Sequence, residues 1–177
     1  IDFNNTGNPG ARAMYAVNVA GLVWRDFRVT RGWRGVWWNN VDSSTVSNVR
    51  ADAHGHAGIW LDGNDNLLSG NSAQGNADRG IELNNAGNNR LTGNYCADNA
   101  YHGILLQVVS NGNTLVGNTC RNNTTRGITL MNAVGNLVTQ NTIDSTAGYA
   151  LYFDAGAAFD TVVKNNIIAS QLAAYAD

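Results

Sequence analysis

Proline is nearly missing from this chain of 177 residues, which contains one, and cysteine occurs twice. Two cysteines are too few for a disulfide framework, so their number alone says little about redox compartment. Charged residues are sparse at 14%, and the net charge of −2 with a pI near 5.8 offers no general attraction to nucleic acid phosphates. No arginine cluster is dense enough to reverse that, so nucleic acid is not an expected partner. No run of about 18 apolar residues occurs, which argues against insertion in a membrane. The start, Ile1-Asp2-Phe3-Asn4, has neither the basic nor the apolar region of a signal peptide and no initiator Met, as expected of a processed or excised chain.

What is plentiful is glycine, with 20 residues, and asparagine, at roughly one residue in seven. Both tolerate left-handed backbone, and Asn also bonds its own neighbourhood, so the two together are the chemistry of tight turns. Many turns with little proline point to a repetitive β fold. The length suits one domain, residues 1–177, and 44% hydrophobic content suffices for a continuous core.

The repeat is read directly from Gly35-Val36-Trp37-Trp38, Gly58-Ile59-Trp60-Leu61, Gly80-Ile81-Glu82-Leu83, Gly103-Ile104-Leu105-Leu106 and Gly127-Ile128-Thr129-Leu130, with Ala150-Leu151-Tyr152-Phe153 as a sixth copy. Successive copies are 22 to 24 residues apart. Between them runs Asn66-Leu67-Leu68-Ser69-Gly70-Asn71, then Asn89-Arg90-Leu91-Thr92-Gly93-Asn94, Asn113-Thr114-Leu115-Val116-Gly117-Asn118 and Asn136-Leu137-Val138-Thr139-Gln140-Asn141. These short alternating segments have the period of half-buried strands and are too heavily punctuated for helices. One coil cannot bury its apolar face, so coils stack about 4.8 Å apart and share a core. The expected fold is all-β, a right-handed parallel β-helix of about seven coils, with residues 169–177 as a possible C-terminal cap.

Stacking turns equivalent positions into columns. Asn48, Asn71, Asn94, Asn118, Asn141 and Asn165 are expected to form an amide ladder that satisfies buried polar groups. Cys96 and Cys120, each two residues past a ladder Asn, are expected to be stacked core thiols without a disulfide.

The tandem G-I-x-L and N-x-L-x-G-N pattern resembles the parallel β-helix repeats of the pectin-lyase-like superfamily, closest in style to mannuronan C-5-epimerases and NosD-type periplasmic proteins. The likeness runs from about residue 12 to residue 168. It implies an extracellular, cell-surface or periplasmic chain, part of a longer one, that deals with polysaccharide. The superfamily includes lyases, hydrolases, epimerases, tailspikes, adhesins and non-catalytic proteins, so function must be argued from residues.

Alternation directs Trp37, Trp60, Glu82, Leu105, Thr129 and Tyr152 outward, with Asn39, Asp62, Asn84, Gln107, Met131 and Asp154 in the next column. Trp37 and Trp60 beside Asn39 and Asn84 are expected to form a sugar platform, because aromatic faces stack on pyranose C–H groups while amides reach hydroxyls. Asp62 and Glu82, about 8 Å apart from strand and coil spacing, would suit an inverting glycoside hydrolase. Arg79, His102 and Arg126 each precede a repeat Gly and should form an edge column, joined by Tyr101 and by His54 in the preceding turn. A His or Tyr base beside an arginine that meets a uronate carboxylate is what β-elimination or C-5 epimerisation requires. Asp52-Ala53-His54 matches the epimerases' Asp-Pro-His at its first and last positions.

No metal site is expected, although Asp62, Asp65 and Asp78 could offer oxygen ligands to Ca²⁺. The reading favoured is a uronate lyase or epimerase, or a fragment of one, ahead of a glycoside hydrolase. Its rivals are a structural or adhesive solenoid that associates end to end as a homo-oligomer, and a passive carbohydrate-binding module.

Overall fold

The computed structural model describes residues 12–144, 147–154, 156–157 and 160–169. Among these, the chain winds through three parallel sheets of seven strands each, and every strand pairs with the equivalent strand one coil away. Sheet 1 begins with Arg12–Ala20 and Arg34–Asp42 and continues through Ile59–Leu61, Ile81–Asn84, His102–Gln107, Arg126–Leu130 and Tyr149–Phe153. Sheet 2 runs from Val23–Arg25 to Val162–Lys164, and sheet 3 from Arg28–Thr30 to Ile167–Ile168.

Apart from the nine-residue strands Arg12–Ala20 and Arg34–Asp42, the strands are short, two to six residues, because each must then turn a corner, and the Gly and Asn positions supply those corners. At the corner between sheets 2 and 3 the residues with left-handed backbone are Asp26, Asn48, Gly70, Gly93, Gly117, Gln140 and Asn165. Inward residues form continuous rows. Val36, Ile59, Ile81, Ile104, Ile128 and Leu151 are paired in register, and none is more than 4% exposed. Each such side chain contributes about 1.5–3 kcal/mol by leaving water. At the first coil the filling turns aromatic: Trp24 lies 5.6 Å from Trp38 and 6.5 Å from Phe27, centroid to centroid.

The repeat glycines have a steric cause. A Cβ on Gly103 would come within 2.6 Å of the Gly127 carbonyl, 2.7 Å of the Asn123 amide and 3.0 Å of the Cys120 Cβ. Sheet 3 therefore presents small residues here, Ala73, Cys96 and Cys120 in successive coils. The two cysteines are paired in register, buried and free, as their spacing implies. Burial pushes the Cys96 thiol well above its ordinary pKa.

Asparagine ladders occupy all three corners. In the one expected from the sequence, Asn94 donates its backbone N–H to Asn118 Oδ1 at 3.0 Å, and Asn118 Nδ2 donates to the Leu91 carbonyl at 3.0 Å. Its ends differ from expectation by one residue. Asn48 and Asn165 are exposed and take the left-handed turn, while the inward slots hold Val49 and Asn166. The second ladder is Ser44, Asn66, Asn89, Asn113 and Asn136. The third is His54, Asn76, Asn99 and Asn123. The cap expected at 169–177 lies outside the described residues, Ala169 excepted.

Candidate functional site

The outer face of sheet 1 carries the chemistry, but outward does not mean exposed there. Trp60 is 8% exposed, Glu82 2%, Leu105 1% and Thr129 0%. Long side chains from the edge column lie over them. The Arg34 guanidinium sits 4.1 Å above the Trp37 ring and 4.7 Å from that of Trp60. The Trp37/Trp60 platform is therefore already covered by a cation, which corrects its reading as an open sugar-stacking surface. Asn39 is half-buried beside it, in the column that leads to Asp62.

At the centre of the face, Arg79 Nη1 lies 2.9 Å from Glu82 Oε2 and 3.2 Å from Asp78 Oδ2. Glu82 Oε1 also accepts from Gln107 Nε2 at 2.7 Å and, more loosely, from Asn84 Nδ2 at 3.4 Å. His56 Nε2 stands 3.3 Å from Asp78 Oδ2, under the Trp33 ring. Burial pushes the His56 pKa down despite the facing Glu82. A carboxylate so covered and bonded holds the layer together, and it is not presented to a sugar. Asp62 lies one column away, half-buried, with its pKa raised by burial, and it does not share the Glu82 network. The Asp62–Glu82 acid and base pair is thus not assembled.

One coil further along, the balance changes. His102 is paired in register with Arg126 and lies one coil from Arg79. Tyr101, 50% exposed, meets the His102 ring edge to face at 4.6 Å. His102 Nδ1 is 3.4 Å from Thr129 Oγ1. Burial first, then the charges of Arg126 and Arg79, push the His102 pKa down to about 3, so its imidazole is neutral at neutral pH. The Arg126 guanidinium stacks 3.6 Å over the Tyr152 ring, and Tyr152 stacks on Tyr149. Among the described residues no carboxylate lies within ion-pairing distance of Arg126. Arg79 is neutralised twice over and Arg126 is not.

The sequence matches the family described as a right handed beta helix region over residues 34–174. The chain belongs to the right-handed β-helix family. No curated protein sequence matches it significantly. Among solved structures, this β-helix resembles a mutant of the periplasmic alginate epimerase AlgG, with a TM-score of 0.68 and 16% identity over 91% of this chain and 48% of that one. It also resembles the A-module of the Azotobacter vinelandii mannuronan C-5 epimerase AlgE4, with a TM-score of 0.65 and 15% identity over 91% and 55% of the two chains. The enzymatically active domain of tailspike protein 2 from bacteriophage CBA120 follows at 0.55 and 13%, over 90% and 24%. The β-helix thus spans about half the length of the epimerase structures, and at these identities the likeness is one of fold.

The Asp52-Ala53-His54 carry-over does not survive in this β-helix. Ala53 has φ 57°, which the proline ring of an Asp-Pro-His segment cannot adopt. Asp52 turns onto sheet 3, 3.3 Å from Arg28 and 3.2 Å from Arg50. His54 points inward, 1% exposed, and its Nδ1 accepts the Gly32 N–H at 3.0 Å. Buried in the third ladder, it cannot meet a substrate. Among the described residues no group of three or more His, Cys, Asp or Glu side chains is arranged to hold a metal ion, and Asp62, Asp65 and Asp78 are not gathered into one. A shallow groove of about 260 Å³, lined by Asn18, Val19, Ala20, Asn40 and Asp42, lies at the opposite strand ends and contains none of the cluster. Among the described residues no helix is long and apolar enough to cross a membrane.

Proposed function

We propose that this β-helix is a carbohydrate-associated protein outside the cytoplasm, and that the Tyr101–His102–Arg126 end of the sheet 1 face binds an acidic polysaccharide for uronate elimination or epimerisation. The observation that carries this reading is the unneutralised Arg126 beside a neutral imidazole and an exposed phenol. Arg126 meets the uronate carboxylate in fork geometry and stabilises the charge that develops when the α-proton leaves. Removing the C5 proton breaks that C–H bond and sends its electron pair into the carboxyl group. Tyr101, the exposed member of the pair, takes the proton, while His102, buried at 3% exposure, holds the phenol ring edge to face. The electron pair then either returns to form C4=C5 and expel the C4 oxygen, which takes a proton from water and leaves an unsaturated end, or it takes up a proton from water on the opposite face of C5 to give the epimer.

The rival reading, a non-catalytic adhesive or binding solenoid, is favoured by the near-uniform repeat step, which leaves no long loop to wall a cleft. Incubation with polymannuronate, polyguluronate and polygalacturonate separates the two. Absorbance of unsaturated ends detects elimination, and NMR of uronate configuration detects epimerisation. Arg126→Gln should lower kcat/KM by roughly a hundredfold, as expected for loss of one charge-stabilising group, while Arg126→Lys retains part of it. Absence of conversion on all three polymers with the wild-type chain overturns the catalytic reading in favour of the solenoid.

A further inference from the structure

Side chains on the sheet 1 face are accessible along the rod and closed off along the strands. The outward column inside the strands is shut, with Trp60, Glu82, Leu105 and Thr129 exposed by 8% or less. At the corner where the chain enters sheet 1, Trp33, His56, Asp78, Tyr101 and Thr125 follow one another, one per coil, and all are at least partly exposed. Backbone bonds fix this stacking. The His56 N–H donates to the Trp33 carbonyl at 2.8 Å, the Tyr101 N–H to that of Asp78 at 2.8 Å, and the Thr125 N–H to that of Tyr101 at 2.9 Å. The His56 and Asp78 side chains meet at 3.3 Å, which closes the series.

Charge is uneven along this corner. Arg126, next to Thr125, has no carboxylate within ion-pairing distance among the described residues. Two coils earlier, about 10 Å away, Asp78 and Glu82 share Arg79 through contacts of 3.2 and 2.9 Å. Together with Arg34, which lies over the Trp37 and Trp60 rings and acts on His56, that cluster holds two cations and two anions. His56 adds no charge at neutral pH, because burial lowers its pKa.

We propose that this corner column is the lane in which a saccharide chain lies, and that Asp78 makes it selective for a uronate with neutral sugars on the side of the earlier coils. The proposal rests on the reading of Arg126 as the carboxylate anchor and adds the class of polymer: an acidic heteropolysaccharide with isolated uronates. One pyranose unit is similar in length to a coil step of about 4.8 Å, so the second neighbour of the sugar at Arg126 lies at Asp78. A carboxylate arriving there meets a carboxylate and a guanidinium already engaged twice, and it loses water without gaining a partner. A neutral sugar instead donates a hydroxyl to the Asp78 carboxylate.

The test is binding of the full chain to two kinds of tetrasaccharide across a salt series. One is a mannuronate tetramer, and the other a mannose tetramer with a single terminal mannuronate, prepared with the uronate at either end. The better of the singly charged oligomers should bind at least as tightly as the tetrauronate and with the same salt dependence, since one carboxylate alone finds its cation. A tetrauronate bound about tenfold tighter, with a steeper salt dependence, overturns the proposal without any variant. Asp78→Asn takes one partner from Arg79 and leaves Glu82 in place. It should raise tetrauronate affinity about tenfold, with a smaller change for the singly charged oligomer, while Asp78→Glu keeps the wild-type preference. Tetrauronate affinity equal in Asp78→Asn and wild type overturns the role of Asp78. Binding of neither oligomer overturns the lane and the anchor together. Absence of conversion with the affinity pattern intact removes the catalytic reading and leaves the lane supported.

Discussion

Asn118→Ala should cost about 3 kcal/mol of stability, because it removes four buried hydrogen bonds and orphans a buried backbone N–H. Asn118 Oδ1 accepts both the backbone N–H and the side-chain amide of Asn94, at 3.0 and 2.9 Å. Its Nδ2 donates to the Leu91 carbonyl and to Asn141 Oδ1, each at 3.0 Å. Alanine leaves the Asn94 N–H without a partner where water does not reach, at roughly 1–3 kcal/mol, and takes one bond each from the Asn94 amide, the Leu91 carbonyl and Asn141 Oδ1. The control is Asn48→Ala, at an exposed turn whose side chain donates to Asp26, where the loss should stay near 1 kcal/mol. Urea unfolding of the two variants measures the contrast. Equal losses would show that the ladder carries no more weight than a surface turn.

That contrast also marks how far the fold could be read in advance. The step of 22 to 24 residues and the alternation within it place every core row correctly, since a parallel register leaves Ile59, Ile81 and Ile104 no alternative to lying above one another. Asparagine identity is less informative, because two neighbouring slots at one corner both accept it for different reasons. One demands a left-handed backbone and the other an inward amide. In the middle coils Gly takes the first slot and Asn the second. At Asn48-Val49 and Asn165-Asn166 the pattern changes, and residue type alone does not tell which slot an Asn fills. The other two ladders carry the same spacing in the sequence, visible at Asn76, Asn99 and Asn123, but only the corner geometry makes them ladders.

The site was less legible than the fold. Alternation sorts side chains into inward and outward, yet exposure on the outer face depends on where long neighbours lie down. Arg34 covers two tryptophans, while Arg79 and Gln107 cover Glu82. The column Arg79, His102 and Arg126 follows from the repeat alone. That Arg79 is spent on Asp78 and Glu82, and Arg126 is not, follows only from side-chain positions three residues or one coil apart. His56 and Asp78 are both drawn into this network, whereas the sequence offers Asp78 only as a possible Ca²⁺ ligand, because neither residue recurs in other coils.

Acid should weaken the wild-type fold more than the fold of His54→Asn, and the difference isolates one buried imidazole. His54 stands where later coils hold Asn76 and Asn99, with Nδ1 accepting the Gly32 N–H and Nε2 buried without a partner against the Gly35 backbone. Burial, the largest cause, pushes its pKa down to about 4, outweighing the Asp52 charge, which favours the proton. Because the folded value lies below the unfolded one near 6.5, the unfolded chain binds more protons between them. The stabilisation is therefore complete above about pH 6.5 and is lost as pH falls through the folded value, amounting to about 3 kcal/mol over that window. His102, with a folded pKa near 3, adds to the same slope throughout and extends it to about pH 3, equally in both proteins. An asparagine in the His54 slot can accept the Gly32 N–H as its ladder neighbours do, and it has nothing to titrate. Thermal unfolding at pH 7.5 and pH 4.5 should find the two proteins close at the higher pH and His54→Asn the more stable at the lower. Parallel losses in both would mean that acid acts through the carboxylates and that the histidine in the ladder is silent.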